Sequence, residues 1–385
     1  MSIIRRALAF GDPQAPHDTL LALLDRRGLL VAGRIRHDVR LVAMGDHFDW
    51  GAVEARAEAT ADGLRTLSWL ASHDPAQVVI LLGNHDLARV GELAYLDDVQ
   101  FSEARREADQ AYRHGAPPRD EESFRRAFAL PSWEVAARDF SAFSVAQRDL
   151  VWDLLRAGRL RLAYAPREDL LLSHAGVTVD ELAALGLAAS ERDARVVDMV
   201  LARVLAEAVS RAHAMGSPVL VIPGLHHPGD GSGEGTGMCF HRLARGPSPP
   251  PPRRRFSPRR LPTGFSQAIG HVRDKKARLL LDLPLSGRPE GGLRTLTVGE
   301  GHLRYDWGVL PCPAGHARCI YLDGGMGHAE LARIELLDLE DLRPALSGPS
   351  SRRPRPGMLI ARGATQARRA RAAQPGGSGK RTPPA

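Results

Sequence analysis

The segment Arg40-Leu-Val-Ala-Met-Gly-Asp-His-Phe-Asp49 places an apolar run directly before a glycine and two carboxylates, Asp46 and Asp49. A short apolar run bounded by turn residues suits a strand buried on both faces. Such a strand delivers both carboxylates from the loop at its C-terminal end, where open α/β sheets carry their chemistry. The design repeats on either side. Arg6-Ala-Leu-Ala-Phe10 leads into Gly11-Asp12-Pro13-Gln14, and Gln77-Val-Val-Ile-Leu-Leu82 leads into Gly83-Asn84-His85-Asp86. Successive members are separated by about one strand-helix-strand unit, ~30 residues or somewhat more. Asp, Asp and Asn/His therefore arrive at one rim, which points to a metal site.

Between these strands, His17 to Arg27 and Ala52 to Leu70 carry the apolar spacing of helices packed on a sheet. From Gly91 to Ala165 the strand pattern gives way to charged, helix-forming stretches, ending in the amphipathic segment Ser144 to Leu155. This is a helical insertion beside the site, either a packing element or a cap that selects substrate. The strand-to-loop design resumes at Asp169-Leu-Leu-Leu-Ser-His-Ala-Gly176, which delivers His174. Glu191 to Met215 is expected to be a helix, and Pro218 to Ile222 a strand ending near His226 and His227. Gln267-Ala-Ile-Gly-His271 supplies another histidine. Leu293 to Val298, Cys319 to Leu322 and Leu331 to Leu336 are expected to be antiparallel strands of a second sheet.

The formal charge of +7 does not describe the fold. After Asp341 no acidic residue occurs, while arginines and lysines recur among Pro, Gly, Ser and Ala. That composition has no core-forming pattern. It gives at most weak, sequence-independent electrostatic contact with nucleic acid. The expected organisation is one domain over residues 1–346, with the helical insertion at 91–165 and a Pro/Arg-rich surface loop at 246–262, followed by a basic tail at 347–385. No apolar run is long enough for a membrane span, and no secretory leader pattern opens the sequence. The three cysteines lack paired metal-ligand spacing. A reduced, cytoplasmic setting is the expectation.

Taken in order, Asp12-Pro-Gln14, Gly45-Asp46-His-Phe-Asp49-Trp50, Gly83-Asn84-His85-Asp86, Ser173-His174-Ala-Gly176 and Gly270-His271 resemble the motifs of the calcineurin-like metallophosphoesterases. The set is most similar to that of the phosphoprotein phosphatase branch. Tyr321-Leu-Asp-Gly-Gly325 resembles the family's late Asp-x-Gly strand. The resemblance implies an α/β fold, a four-layer α/β/β/α sandwich, with two divalent metal ions. Manganese is the first expectation, with iron or zinc as alternatives. One ion would be held by Asp12, Gln14 and Asp46, the other by Asp46, Asn84, His174 and His271. A hydroxide between the ions would attack phosphorus. His85, oriented by Asp49, would protonate the leaving oxygen, and Asn84 would also touch the phosphate.

Two departures stand out. Gln14 occupies a position where His is usual, and its neutral amide oxygen suits harder ions such as Mn or Mg. Trp50 replaces the Arg that grips phosphate in the phosphoprotein phosphatases. Arg273 is the first candidate for a substitute cation, and Arg89 the second. The expected substrate is a phosphomonoester, either a protein phosphoserine or phosphothreonine or a small phosphorylated molecule. A dinucleoside tetraphosphate is an alternative. A nucleotide phosphodiesterase is another, although such enzymes usually carry Gly-His-x-His, and here Arg273 follows at that place. A metal-binding regulatory protein without catalysis is the non-enzymatic alternative, against which the retained His85 and Asp49 stand.

Overall fold

The computed structural model describes residues 4–246 and 252–345. The proline run at 247–251 and the basic tail at 347–385 lie outside the described residues, as do the expectations placed on them. Two six-stranded sheets dominate. In the first, the order is Arg343–Pro344, Leu337–Asp338, Arg6–Phe10, Val39–Ala43, Val78–Leu81, Leu160–Arg161. The last four run parallel, and Leu337–Asp338 is antiparallel to Arg6–Phe10. In the second, the order is His302–Trp307, Arg294–Gly299, Ala317–Tyr321, Ser266–Ile269, Leu170–Ser173, Ala163–Arg167. Its central three strands, Ala317–Tyr321, Ser266–Ile269 and Leu170–Ser173, are parallel.

The two-residue period of each strand sorts its side chains onto opposite faces. Ala7, Ala9, Val42, Met44, Val79 and Leu81 of the first sheet share one apolar cluster with Leu170, Leu172, Ala268 and Ile320 of the second. Leu8, Phe10, Leu41, Ala43, Val78 and Ile80 face the other way, into a cluster with Leu20, Leu23 and Leu67 of the helices His17–Arg26 and Arg56–Ala71. On the second sheet, Leu171 joins Val197 and Leu201 of the helix Ala194–Ala214, while Ile269, Cys319 and Tyr321 join Ala277 of the helix Asp274–Leu280. Strands covered on both faces in this way read as continuous apolar runs, which is why Val78–Leu81 and Leu170–Leu172 stand out in sequence.

The helical stretch comprises Asp98–His114, Glu121–Phe128, a single π-helical turn at Val135–Asp139, and Val145–Arg156. Asp97 and Ser144 cap two of these through capping boxes. It ends earlier than the spacing suggests, because Leu160–Arg161 and Ala163–Arg167 are already strands of the two sheets.

Other expectations are corrected as well. Pro218 to Ile222 is not a strand. Leu220 and Ile222 are buried, but the segment joins neither sheet: Ile222 forms an isolated bridge with His226, and the Leu220 amide donates to the Val90 carbonyl. Leu331–Arg333 is a 3-10 turn, and the strand after it, Leu337–Asp338, joins the first sheet instead of the second, between Arg6–Phe10 and Arg343–Pro344. The edge strand His302–Trp307, in which His302, Arg304 and Asp306 alternate with Leu303, Tyr305 and Trp307, is an addition to the expected strands. Ala317–Tyr321 is antiparallel to Arg294–Gly299 but parallel to Ser266–Ile269. After the proline run the chain is packed, not a solvated surface loop. Phe256 and Leu261 are buried, and buried Arg253 binds the Thr178 hydroxyl at 2.9 Å and Asp180 at 2.6 Å. Among the described residues no helix is long and apolar enough to cross a membrane.

Candidate active site

Asp12, Asp46, Asn84, His174 and His271 all follow the C-terminal ends of parallel strands: Arg6–Phe10, Val39–Ala43, Val78–Leu81, Leu170–Ser173 and Ser266–Ile269. Both sheets thus point these ends at a common rim. The turns are tight. A side chain on Gly83 would meet Asp46 Oδ1 at 2.1 Å, and one on Gly270 would meet Asp12 Oδ1 at 2.0 Å. Asp46, Asp49 and His271 have φ of 56°, 62° and 65°, a conformation that costs a non-glycine residue on the order of 1 kcal/mol.

Buried Asp86 holds this backbone in place. Its carboxylate accepts the amides of Gly83 at 2.8 Å, Asp46 at 3.0 Å and His47 at 3.1 Å, and the His47 ring nitrogen Nδ1 at 3.0 Å. Burial works to raise Asp86, but His47 beside it holds the carboxyl below its ordinary range. The motif Gly83-Asn84-His85-Asp86 contains this residue, yet its supporting role is visible only once the loops are assembled.

The two histidines are oriented from behind. His174 Nδ1 donates to the Met44 carbonyl at 2.8 Å, and His271 Nε2 donates to the Phe240 carbonyl at 3.2 Å. With those protons fixed, the lone pairs of neutral His174 Nε2 and His271 Nδ1 face each other across 3.1 Å. Asn84 Oδ1 and Asp46 Oδ1 lie 3.2 and 3.3 Å from the same His174 nitrogen. Asp46, His174 and His271 can place one ligand atom each within 4.8 Å of one another. Buried acceptors converging on acceptors are unfavourable unless a proton or a metal ion lies among them. Burial lowers the His174 ring, but Asp46 outweighs it and so favours a proton there where no metal takes its place. The donor set fits a divalent metal, and carbonyls oriented on the far ring nitrogens are the usual support of histidine ligands.

Asp12 extends the cradle. Its Oδ2 accepts the His271 amide at 2.8 Å, while buried Oδ1 has no hydrogen-bond partner. Burial, and the nearby carboxylates Asp323 and Asp46, push Asp12 well above the ordinary range, a crowding that a cation relieves. Asp46 is raised by burial, but His174 and His85 pull it far down instead. Gln14 donates its amide N–H to the Phe48 carbonyl at 3.3 Å, beside the same loop.

Next to the cradle, His85 Nδ1 meets Asp49 Oδ2 at 2.9 Å, and His85 Nε2 lies 3.8 Å from Asp46. Burial lowers the His85 ring, but Asp46 and Asp49 overcome it and the imidazolium is favoured. Asp49 is tied twice more, to Arg89 Nη1 at 2.5 Å and to the Ala142 amide at 2.9 Å. Phe140 packs edge-on against His85 with centroids 5.1 Å apart.

A cavity beside Asn84 is lined by Glu92, Phe140, Phe240, Arg242 and Arg254. Burial pushes the Glu92 carboxyl up to about 7, and its Oε2 has no partner. Arg242 acts electrostatically on His271 and Asp46. Arg273 is exposed at the start of the helix Asp274–Leu280, with its stem along Gly325. Arg89 is wholly buried, so it does not grip substrate as the sequence had allowed. Arg242 carried no motif and could not be singled out from sequence; Glu92 likewise.

No curated protein matches the chain in sequence. Two solved structures resemble it: a cold-active protein tyrosine phosphatase (TM-score 0.42) and the cold-active protein-tyrosine phosphatase of a psychrophile, Shewanella sp. (TM-score 0.40). Each is 15% identical and covers 89% of this chain, with 75% and 77% of the respective neighbour aligned. The model of the calcineurin-like phosphoesterases matches residues 5–235, more than half of the sequence, and the chain belongs to that family.

Proposed function

We propose that the protein hydrolyses phosphomonoesters, with protein phosphoserine or phosphothreonine or a small phosphorylated molecule as substrate. The carrying observation is the pairing of a lone-pair cradle (Asp46, Asn84, His174, His271) with an imidazole, His85, that Asp49 holds and that Asp46 and Asp49 favour as the cation. Asp12, Gln14 and Asp46 would hold one divalent ion, and Asp46, Asn84, His174 and His271 the other. Manganese is favoured by the neutral oxygen donors Gln14 and Asn84. When bound, the ions supply Lewis-acid charge for the phosphoryl oxygens and acidify water.

The chain's own residues do the rest. Asp49 fixes the Nδ1 side of His85, so the Nε2 proton is the one presented to the leaving oxygen. Asn84 turns its amide oxygen to His174, which leaves its NH2 for a phosphate oxygen. Arg242 is our candidate for the cation missing at Trp50, since it lines the cavity beside Asn84; Arg273 is the alternative. A retained general acid favours the enzymatic reading over a metal-binding regulator, because neither His85 nor Asp49 is needed to hold metal.

The test is a turnover screen of metal-stripped protein with Mn, Fe, Zn or Mg restored. Phosphopeptides, nucleotides, a dinucleoside tetraphosphate and bis-p-nitrophenyl phosphate form the panel. Mn-stimulated release of phosphate from monoesters is expected. Hydrolysis of the diester alone, or of the dinucleoside polyphosphate alone, would replace this reading by one of its alternatives, and no turnover with any metal would remove it.

A further inference from the structure

Arg89 lies four residues after His85, at the end of the helix Asn84–Arg89, and is 0% exposed. A buried guanidinium is costly to leave unpaired, so its partners show what it serves. Nη1 donates to Asp49 Oδ2 at 2.5 Å and to the His85 carbonyl at 3.0 Å. Nε donates to Gln147 Oε1 at 3.2 Å, and the guanidinium carbon stands 4.5 Å from the Phe48 ring centroid. The Asp49 oxygen that Arg89 holds is the one that receives His85 Nδ1. Gln147 is also 0% exposed, and its side-chain amide donates to the Thr60 carbonyl at 3.1 Å. An unbroken chain of bonds therefore runs from His85 through Asp49, Arg89 and Gln147 to Thr60 in the helix Arg56–Ala71.

Gln147 sits in the first turn of the helix Val145–Arg156, and Ser144 caps that turn. The Ala142 amide on the other Asp49 oxygen and the Phe140 ring against His85 come from the same stretch of chain. We propose that Arg89 is a positioning residue that fixes the Asp49–His85 pair and ties it to the helix Val145–Arg156. The helical insertion is thereby part of the proton-delivering apparatus and not only a wall around substrate. This rests on reading His85 as the proton donor. Arg89 does not touch substrate; it acts through Asp49, whose second bond sets the angle at which His85 is presented.

Two variants test the proposal in the metal-loaded protein. Arg89→Lys keeps the charge but cannot span Asp49, the His85 carbonyl and Gln147 at once. Gln147→Met leaves Arg89 in place and removes its anchor to the insertion, together with the bonds of Gln147 to the Ser144 amide and the Thr60 carbonyl. Misplacement of a catalytic group by about 1 Å can cost on the order of 10²-fold. Arg89→Lys is therefore expected to lower kcat on a phosphoserine peptide by about 10- to 100-fold, with KM changed less than about 3-fold. The loss on p-nitrophenyl phosphate, whose leaving oxygen needs little protonation, should be at least several-fold smaller. Gln147→Met should show the same selectivity in weaker form. Added to His85→Ala, Arg89→Lys should cost nothing further, because residues acting as a unit are not additive. Equal losses on both substrates, or losses that multiply in the double variant, would overturn the proposal while leaving the phosphatase reading intact. Absence of turnover by the wild-type protein on either substrate would overturn both. Should Arg89→Lys fail to fold, Gln147→Met with and without His85→Ala decides the same question.

Discussion

Asp12, Asp46, Asn84, His174 and His271 each leave the end of a parallel strand, whereas the supports of His85 are gathered from distant turns and helices. The first group is carried by the sheets, with Asp86 behind Asp46 and the Met44 and Phe240 carbonyls behind the two histidines. Asp49 and His85, by contrast, receive Ala142, Phe140 and, through Arg89, Gln147 from the inserted helices. On the proposed reading, metal holding and proton delivery draw on largely different supports, joined where the His85 amide donates to Asp46 at 3.0 Å. Each should be breakable without the other.

The largest effect separates them outright. His85→Ala is expected to lower turnover of a phosphoserine peptide by roughly 10²–10⁴-fold with metal content unchanged by mass spectrometry. Metal lost along with activity would erase the distinction. Asp86→Asn works from the opposite side. It weakens the amide cradle behind Asp46, and metal affinity measured by competitive chelation should fall about 10- to 100-fold. If affinity holds and only turnover suffers, Asp86 belongs with the proton-delivering side instead.

A smaller effect concerns substrate grip, which neither side supplies. Arg242→Ala should raise KM for p-nitrophenyl phosphate by about 10-fold, the scale of one charge-assisted hydrogen bond, with kcat little changed. The same substitution at Arg273 is the comparison, and a larger effect there would move the phosphate-binding cation to that residue.

The smallest effect is on stability. Glu92 titrates near 7 in the folded chain against an ordinary glutamate value of 4.5. The folded state therefore binds this proton more tightly than the unfolded state. Its charged form destabilises progressively as pH rises from about 4.5 through 7, by at most about 3 to 4 kcal/mol. Glu92→Gln removes that dependence. Its urea midpoint should match the wild type near pH 4.5 and exceed it at pH 8, and a constant offset would show that Glu92 is not buried as its surroundings indicate.

What was legible in the sequence follows the same division. A parallel strand covered on both faces must be apolar, and its loop must start with a small residue where chains approach closely, so Ala43-Met-Gly-Asp46 and Leu81-Leu-Gly-Asn84 announce themselves. The capping-box spacing Ser144-x-x-Gln147 marks a helix start, but no local rule marks the contact of Gln147 with Arg89 or of Ala142 with Asp49, because those contacts are set by how helices fall against one another. Arg89 illustrates the limit most sharply. As a charged residue just past a motif it suggested a phosphate grip, and only its burial against Phe48 and Asp49 reveals an inward role. Leu331 to Leu336 failed for a related reason. Its apolar residues are needed to cover helices as well as to edge a sheet, and spacing alone does not say which. The half-buried Trp50, whose buried indole N–H has no protein partner, is explained by nothing in the surroundings described.

The pairing of Leu8 with Asp338 and of Ala9 with Leu337 has a further consequence, for synthesis of the chain. Arg6–Phe10 leaves the ribosome before the other strands of the two sheets, and Val39–Ala43 soon covers one of its sides. Its other side has to wait until nearly the whole domain has been translated. Contacts this far apart in sequence close slowly, and an apolar strand with an open edge invites pairing with other chains in the interval. The first of these strands to be made is thus among the last of them to be sealed, and the nascent domain should be most prone to aggregate shortly before Leu337 emerges.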